Sequence, residues 1–242
     1  MSTAEQRLAD ALLDLATDGP TDRPFEVPSL LALLTAHATG LLADCAAGAV
    51  APPHHGEGLH VAGSPPAVHQ LELDAAGRGE GPGQDCRRSG TPVRPTPLDS
   101  PVAKQHWPHY AARARRLGHT HTAALPLRGE ADRHGALVLL APRPEPLCAR
   151  ALSLAESLAR MAAVTLGHER AAHAERTRVD QLQHALTSRI LIEQAKGVLA
   201  ARRSVPVDEA FALIRRQARA EQRLLTEVAR EVIEGHNALT TG

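Results

Sequence analysis

Residues 185–232, ALTSRILIEQAKGVLAARRSVPVDEAFALIRRQARAEQRLLTEVAREV, decide the architecture of the C-terminal part of the chain. Gly197 and Pro206 are the only Gly and Pro residues in this stretch, and its apolar residues recur at the spacing of amphipathic helices. Short helices of this kind are unstable alone in water, so the pattern predicts a three-helix module whose apolar stripes bury one another. The residues of the three predicted stripes are Leu186, Ile190, Ala195, Val198 and Leu199; Ala210, Phe211 and Ile214; and Leu225, Val228, Ala229, Val232 and Ile233.

The predicted module is basic although the chain is neutral. Between Lys196 and Arg223 there are seven basic and three acidic side chains, hence a net charge of +4, whereas the whole chain has 27 of each kind. A basic face on a neutral protein suits contact with nucleic acid through phosphates, with an affinity that falls as salt rises. The alternative is a solvated helix face with Glu–Arg pairs.

Three blocks in the same stretch carry a family resemblance. They are IEQAKGVL at residues 192–199, DEAF at residues 208–211, and the Val-Ala pair at residues 228–229. Together they resemble the ANTAR domain, and the match covers about the last 55 residues. The resemblance implies a helical tail that binds paired RNA hairpins and thereby controls transcription termination or translation.

The chain departs from the family pattern at two places. Ala218 and Gln222 stand where the family usually has Ser and Asn, and Ser204-Val205-Pro206 replaces a Gly-containing turn. Because Ala218 lacks a hydroxyl that could contact a phosphate, we expect altered RNA affinity or target choice.

The predicted RNA-binding residues are the basic side chains of the module together with two residues of the Gln-Ala-Lys-Gly run. Gly197 costs helix stability relative to Ala, and either close helix packing or close approach of an RNA backbone would explain it. Phe211 is predicted to be core, which excludes recognition by base stacking on aromatic side chains. The full set is Arg189, Gln194, Lys196, Gly197, Arg202, Arg203, Arg215, Arg216 and Arg219.

The preceding 180 residues alternate helical and strand-like segments. The polar residues 128–134 separate the last two predicted strands, which indicates an antiparallel hairpin. Helices are predicted at residues 5–17, 28–43, 66–73, 84–89 and 109–117, and strands at 46–50, 58–62, 93–95, 120–127 and 135–140.

Two segments of this region resemble GAF domains that are fused to ANTAR tails. They are GPGQDCRRSGTPV at residues 81–93, and ALPL at 124–127 followed by GALVL at 135–139. The resemblance implies an α+β fold, with an antiparallel sheet flanked by helices, and a sensor that binds a small molecule or a protein signal. No motif implies a cofactor, and a large planar one would find only Trp107 and Tyr110 as stacking partners.

Residues that could form catalytic or metal-binding motifs do not have the spacing or sequence context that those motifs require. His55 and His60 flank Glu57 at the wrong distance and in a Gly-rich context for a zinc hydrolase. The Gly-rich residues 77–83 lack the Lys-Ser/Thr of a phosphate-binding loop and are predicted to be a flexible surface loop. We therefore expect neither a catalytic site nor a metal site.

The sequence predicts a cytoplasmic protein. No apolar run approaches the roughly 20 residues that a membrane span needs. The three cysteines, Cys45, Cys86 and Cys148, are odd in number and far apart in sequence, so they predict no disulfide framework.

A long helix is predicted to connect the two regions. Its apolar residues follow a heptad spacing from Leu147, with a polar middle and returning leucines at Leu182 and Leu186, which favours a parallel homodimer. In the alternative, residues 147–170 pack on their own sheet and residues 171–180 are a solvated spacer. The predicted domains are a sensor at residues 1–168, a helical linker at 169–181 and an RNA-binding domain at 182–236.

The sequence thus predicts a signal-responsive RNA-binding regulator without enzymatic activity. A DNA-binding three-helix regulator is one alternative, although its recognition helix would offer arginines and, for base contacts, only Gln217. A dimerisation or partner-binding module without RNA binding is the other.

Overall fold

The structure, a computed structural model, describes residues 3–17, 25–53, 58–128 and 135–235. The chain divides into two compact units, Met1–Ala171 and Ala172–Gly242. Within the described residues, no helix is both long enough and apolar enough to cross a membrane.

The first unit is a five-stranded sheet with helices on both faces, so the predicted α+β class is confirmed. The strands lie in the order β2-β1-β5-β4-β3, and neighbouring strands are antiparallel. In chain order the elements are α1 (Thr3–Thr17), α2 (Val27–Leu41), β1 (Ala46–Ala51), β2 (His60–Ser64), α3 (Pro66–Arg78), α4 (Pro82–Ser89), β3 (Val93–Pro97), α5 (Pro101–His106), α6 (Pro108–Arg116), β4 (His121–Leu127), β5 (Gly135–Ala141), a 3-10 turn (Glu145–Leu147) and α7 (Ala149–Arg203).

The centre of the sheet is buried on both faces. Every residue of β1 and of β5 is buried, as expected for strands covered by helices on either side. The predicted hairpin of β4 and β5 is present, with Leu127 paired to Gly135 at its closed end. The connecting residues 129–134 lie outside the described residues.

One sheet face packs against α1, α2 and the beginning of α7. The α7 residues on this face are buried in the same cluster as the odd-numbered residues of β1 and β5, such as Ala49 and Leu139. Residues of α7 up to 166 therefore pack on their own sheet, which was one of the two alternatives for this segment. These α7 residues are Ala151, Ala155, Leu158, Ala159, Ala162 and Leu166.

The other sheet face is covered by α3, α4 and α6. Trp107 and Tyr110 are buried there, only 4% and 3% exposed. The prediction of a flexible surface loop at residues 77–83 is wrong, because α3 extends to Arg78 and α4 begins at Pro82. A side chain at Gly83 would collide with Val138 at 2.8 Å, so this glycine allows α4 to lie close to the sheet.

The second unit is a three-helix module, as predicted. Helices α8 (Val207–Ala220) and α9 (Leu225–Glu234) pack with the C-terminal part of α7. Leu186 and Ile190 were predicted to belong to the buried stripe of the first helix, but they are 60% and 49% exposed. The buried residues of the module are Ala195, Leu199, Ala210, Ile214, Ala218, Val228, Ala229 and Val232.

Candidate nucleic-acid interface

Helix α8 presents a basic outer face. Arg215, Arg216 and Arg219 are exposed, whereas Ile214 and Ala218 are buried in the core of the module. The separation follows from helix geometry, since residues three or four apart share a face. Three of the predicted RNA-binding residues therefore lie together on one accessible helix surface.

Phe211 lies on the same side of α8, between two cations. The Lys196 ammonium is 5.4 Å and the Arg215 guanidinium 5.5 Å from the centroid of its ring, which is within cation–π range. The ring is half-buried and does not belong to the apolar core of the module. The prediction that Phe211 is core is therefore wrong, and the argument against base stacking loses its premise.

Lys196 is more enclosed than the sequence suggested. Its side chain is 15% exposed, and its Nζ donates to both carboxylate oxygens of Glu193, at 2.8 and 2.9 Å. Part of its charge is thus compensated, and its position is fixed by Glu193 on one side and the Phe211 ring on the other. Lys196 therefore links α7 to the Phe211 ring of α8 in addition to contributing positive charge.

Gly197 is exposed, and a Cβ atom built there would meet nothing within 4 Å. Close packing against another helix that the structure describes therefore does not explain this glycine. Gln194 and Arg189, one and two turns earlier on α7, are also exposed. Gln194 and Gly197 are three residues apart and form a second accessible strip of the module, and Arg189 lies N-terminal to it.

Arg202 has a structural role. Its guanidinium donates to the carbonyl oxygen of Val232 at 3.1 Å, near the C-terminal end of α9, where carbonyl groups lack partners within the helix. The next predicted RNA-binding residue, Arg203, is exposed. The sequence could not distinguish these neighbours, because the contact of Arg202 spans 30 residues of chain.

The departures from the family pattern fall on structural positions. Ala218 is buried in the core of the module, so a hydroxyl at this position would not face a phosphate. Ser204 and Gln222 both have φ of 53°, in the left-handed region, at the turns that follow α7 and α8. Gly and Asn adopt this conformation more readily than other residues. The departures therefore concern the two turns more than the outer face.

Arg223 is the centre of an ion-pair cluster. In the sequence it counted only as one of the seven basic residues between Lys196 and Arg223. Its guanidinium contacts the carboxylates of Glu221, Glu227 and Glu231, and these contacts join the turn after α8 to α9. The hydrogen bond to Glu231 contributes most to raising the pKa of Arg223. The four-residue spacing of Arg223 and Glu227 was a visible signal of this cluster.

The interior of the first unit contains a buried carboxyl group. Glu72 on α3 is fully enclosed, and the Tyr110 hydroxyl donates to its Oε1 at 2.7 Å. Burial raises the pKa of Glu72 to about 7, and the hydrogen bond from Tyr110 partly opposes that shift. A Cβ atom at Gly48 would lie 2.4 Å from the Glu72 side chain, so this part of the interior is filled by the protein itself.

No metal centre emerges from the described part of the chain, where no group of three or more His, Cys, Asp or Glu side chains converges. His60 begins β2, whereas His55 and Glu57 lie outside the described residues.

Comparison with known proteins agrees with both resemblances. The GAF domain pattern matches residues 26–166, more than half of the chain, and the ANTAR domain pattern matches residues 180–233. The chain belongs to the GAF domain family and has an ANTAR domain at its C-terminal side. No curated protein matches the chain.

The chain is similar to solved structures at low sequence identity. A bacteriophytochrome from the photosynthetic bacterium R. palustris superposes with a TM-score of 0.51 at 15% identity, over 88% of this chain and 47% of the other. The chain thus spans about half the length of that protein. The GAF domain of a phosphoenolpyruvate-protein phosphotransferase from Coxiella burnetii gives a TM-score of 0.46 at 20% identity, over 72% of this chain and 99% of the other.

These two domains define the class of the protein. GAF domains are sensor domains and ANTAR domains belong to an RNA-binding antiterminator family, so the chain is a signal-responsive regulator. Both are regulatory rather than enzymatic families.

Proposed function

We propose that this regulator binds paired RNA hairpins in the cytoplasm and thereby controls transcription termination or translation, in response to a signal received by its GAF domain. The observation that carries the proposal is the exposed basic face of α8, formed by Arg215, Arg216 and Arg219. Three arginines on one helix face offer phosphate contacts that need no particular base sequence.

The strip on α7 complements this face. Gly197 leaves open space beside Lys196, so a phosphodiester backbone can approach the helix more closely there than at a residue with a side chain. Gln194 adds an exposed amide that can both donate and accept hydrogen bonds. We assign RNA contact to these residues, to Arg189 and Arg203, and to the α8 arginines, whereas Arg202 supports α9.

We also propose that the protein is a parallel homodimer. Leu182 and Leu186 on α7 are 64% and 60% exposed, and Val179 and Ile190 continue the same exposed apolar stripe at helical spacing. A second copy of the same stripe is the natural occupant, because a parallel pair of identical helices aligns equivalent apolar residues. Two linked ANTAR domains would then meet two hairpins, and the first contact raises the effective concentration for the second.

We propose the same domain limits that the sequence predicts. The sensor occupies residues 1–168, the helical linker residues 169–181 and the RNA-binding domain residues 182–236. Most of the exposed apolar stripe then lies at the start of the RNA-binding domain.

Filter binding of the full chain to a library of double-hairpin leader RNAs tests the function. The wild-type protein should bind members of the library more tightly than unstructured RNA, and its affinity should fall steeply with salt. A triple change of Arg215, Arg216 and Arg219 to Ala should reduce the salt slope by about 2–3 if each arginine neutralises one phosphate.

Arg230→Ala is the control, because Arg230 is an exposed arginine of the same module that belongs to α9 and not to α8. Equal losses in the control and in the triple variant would contradict the assignment of the surface. Gel shifts with duplex DNA address the DNA-binding alternative, and tighter binding to DNA than to hairpin RNA would favour it.

A further inference from the structure

A groove lies on the outer side of the first unit, between α3 and α6. Its volume is about 310 Å³, at the lower end of the range of small-molecule sites. Leu71 and Ala75 of α3 and Pro108, Tyr110 and Ala112 of α6 line it. Its lining is therefore mainly apolar, with charged groups added from both helices.

The carboxylates of this groove already have partners. Glu80 accepts hydrogen bonds from the backbone N–H groups of His109 and Tyr110, at 2.7 and 2.9 Å, and its second oxygen lies 3.0 Å from Nδ1 of His109. These contacts satisfy two N–H groups in the first turn of α6. Asp74 is paired with Arg113, which connects α3 to α6.

Two arginines are left without such partners. Arg78 on α3 and Arg116 on α6 are exposed and line the groove, and neither forms an ion pair with any residue that the structure describes. With Asp74 compensated by Arg113 and Glu80 occupied by the start of α6, the groove carries an excess of positive charge. An apolar lining with two available guanidinium groups suits a ligand that combines an apolar body with an anionic group.

We propose that this groove is a ligand site of the sensor domain and that it binds a small organic anion, a carboxylate or phosphate monoester with an apolar body. The proposal rests on the proposed sensor function, but it concerns ligand binding and does not require RNA. The ligand would lie outside the buried region between the sheet and its covering helices. That region is already occupied by side chains such as Glu72 and Tyr110, which are hydrogen-bonded to each other.

A ligand in the groove would touch both helices that hold the buried hydrogen bond. Tyr110 lines the groove, and its hydroxyl donates a hydrogen bond to Glu72, which belongs to the same helix as Arg78, α3. An organic anion whose apolar body lies between α3 and α6, with Arg78 and Arg116 supplying positive charge from the two helices, bridges α3 and α6 and favours the arrangement in which these helices are close. Binding in the groove is thereby transmitted to the interior of the domain.

Titration of the full-length protein tests the proposal. The probes are hexanoate, benzoate and phenyl phosphate, with hexanamide and benzamide as uncharged counterparts and inorganic phosphate as an anion without an apolar body. Trp107 is the single tryptophan of the chain and directly precedes the groove residue Pro108, so its fluorescence is one readout. Isothermal calorimetry is the second, and it detects binding that leaves the fluorescence unchanged.

At least one organic anion should bind saturably, and its uncharged counterpart and inorganic phosphate should bind at least tenfold more weakly. Arg78→Gln and Arg116→Gln should each weaken binding of that anion about tenfold, as expected for loss of a charge-assisted contact. Arg115→Gln is the matched control, because Arg115 is an exposed neighbour on α6 that does not line the groove. It should change the affinity less than twofold.

Three results would overturn the proposal. They are an absence of saturable binding for every anion in the panel, equal binding of an anion and its amide, and equal losses for Arg115→Gln and Arg116→Gln. Thermal unfolding of each variant confirms that the exchange of an exposed arginine leaves the domain folded. None of these results bears on RNA binding, so failure here is distinguishable from failure of the regulatory function.

Discussion

The Tyr110 hydroxyl on α6 donates a hydrogen bond to Oε1 of Glu72 on α3, at 2.7 Å and in the interior of the first unit. The contact joins residues that are 38 positions apart in the chain. Burial disfavours the anionic form of this carboxyl group and raises its pKa to about 7, and the hydrogen bond from Tyr110 partly opposes that shift.

The stability of the first unit should fall as the pH rises from about 4.5 to about 7. The ordinary pKa of a glutamic acid is 4.5, whereas Glu72 has a pKa of about 7 in the folded protein. In this interval the folded state keeps a proton that the unfolded state loses, so rising pH favours unfolding, by about 3 kcal/mol in total. Glutamine does not titrate in this interval, so Glu72→Gln should lose this part of the pH dependence.

Urea unfolding followed by Trp107 fluorescence, at several pH values, measures this difference. The difference in free energy of unfolding between wild type and Glu72→Gln should change by a few kcal/mol between pH 4.5 and about 7. The change should favour the variant at higher pH. Glu156→Gln is a control at an exposed glutamate of α7 and should follow the wild-type curve. Parallel curves for wild type and Glu72→Gln would refute the assignment of a protonated carboxyl.

Glycine at either of the two left-handed turn positions should stabilise the three-helix module. Ser204 and Gln222 adopt a conformation that costs an L-residue about 1–2 kcal/mol and a glycine much less. Ser204→Gly and Gln222→Gly should therefore each add about 0.5–1 kcal/mol. Amide hydrogen exchange of α8 and α9 in the full chain, followed by mass spectrometry, should slow about two- to fivefold.

The alanine variants at the same positions serve as controls, since alanine has a Cβ atom and meets the same backbone strain. Faster exchange in the glycine variants than in wild type would show that the loss of the Ser204 or Gln222 side chain outweighs the relief of strain.

The two open glycines of α7 should respond differently in RNA binding. A Cβ atom meets nothing within 4 Å at either Gly167 or Gly197. Alanine at either position should therefore stabilise the helix by about 0.5–1 kcal/mol. Gly197→Ala should also weaken binding of double-hairpin RNA, about tenfold or more, because it fills the space beside Lys196.

Gly167→Ala should leave RNA affinity unchanged, and filter binding of both variants measures the contrast. If Gly197→Ala binds RNA as tightly as Gly167→Ala does, close approach of the RNA backbone at Gly197 is disproved.

Two kinds of leucine on α7 should give opposite phenotypes. Leu182 and Leu186 are exposed, so their joint change to Glu should leave the fold intact and produce a monomer. Leu158 is fully buried in the core of the first unit, so Leu158→Glu should unfold that unit, because an unpaired charge would enter the core. Light scattering measures mass, and Trp107 fluorescence reports on folding.

The monomeric variant should bind double-hairpin RNA at least tenfold more weakly than wild type but should keep its affinity for a single hairpin. A wild-type monomer at micromolar concentration would contradict the homodimer, whatever the behaviour of the leucine variants.

Local patterns in the sequence predicted most of the architecture. Helical periodicity identified the three-helix module, and two strand-like runs around a polar turn identified the β4–β5 hairpin. Periodicity also places residues on one face of a helix, but it does not say what that face contacts. Leu158 and Leu186 belong to the same predicted seam, yet Leu158 is buried by its own sheet and Leu186 is exposed.

The misassigned residues depend on contacts between distant segments. Phe211 follows the buried Ala210, and only the positions of Lys196 and Arg215 reveal that it lies beside the core. The Gly-rich residues 77–83 resembled a loop because the close packing of Gly83 against Val138 has no signature in the local sequence. The partner of Arg202 is likewise set by the fold and not by spacing.

The carboxylate cluster around Arg223 is a second site, besides the RNA-binding surface, at which ionic strength affects the module. Its contacts with Glu221, Glu227 and Glu231 are partly exposed, so added salt screens them as it screens protein–phosphate attraction. A measured salt slope for RNA therefore combines release of counterions with loosening of the turn between α8 and α9. Counting phosphates from that slope requires the module's own salt-dependent unfolding to be subtracted first.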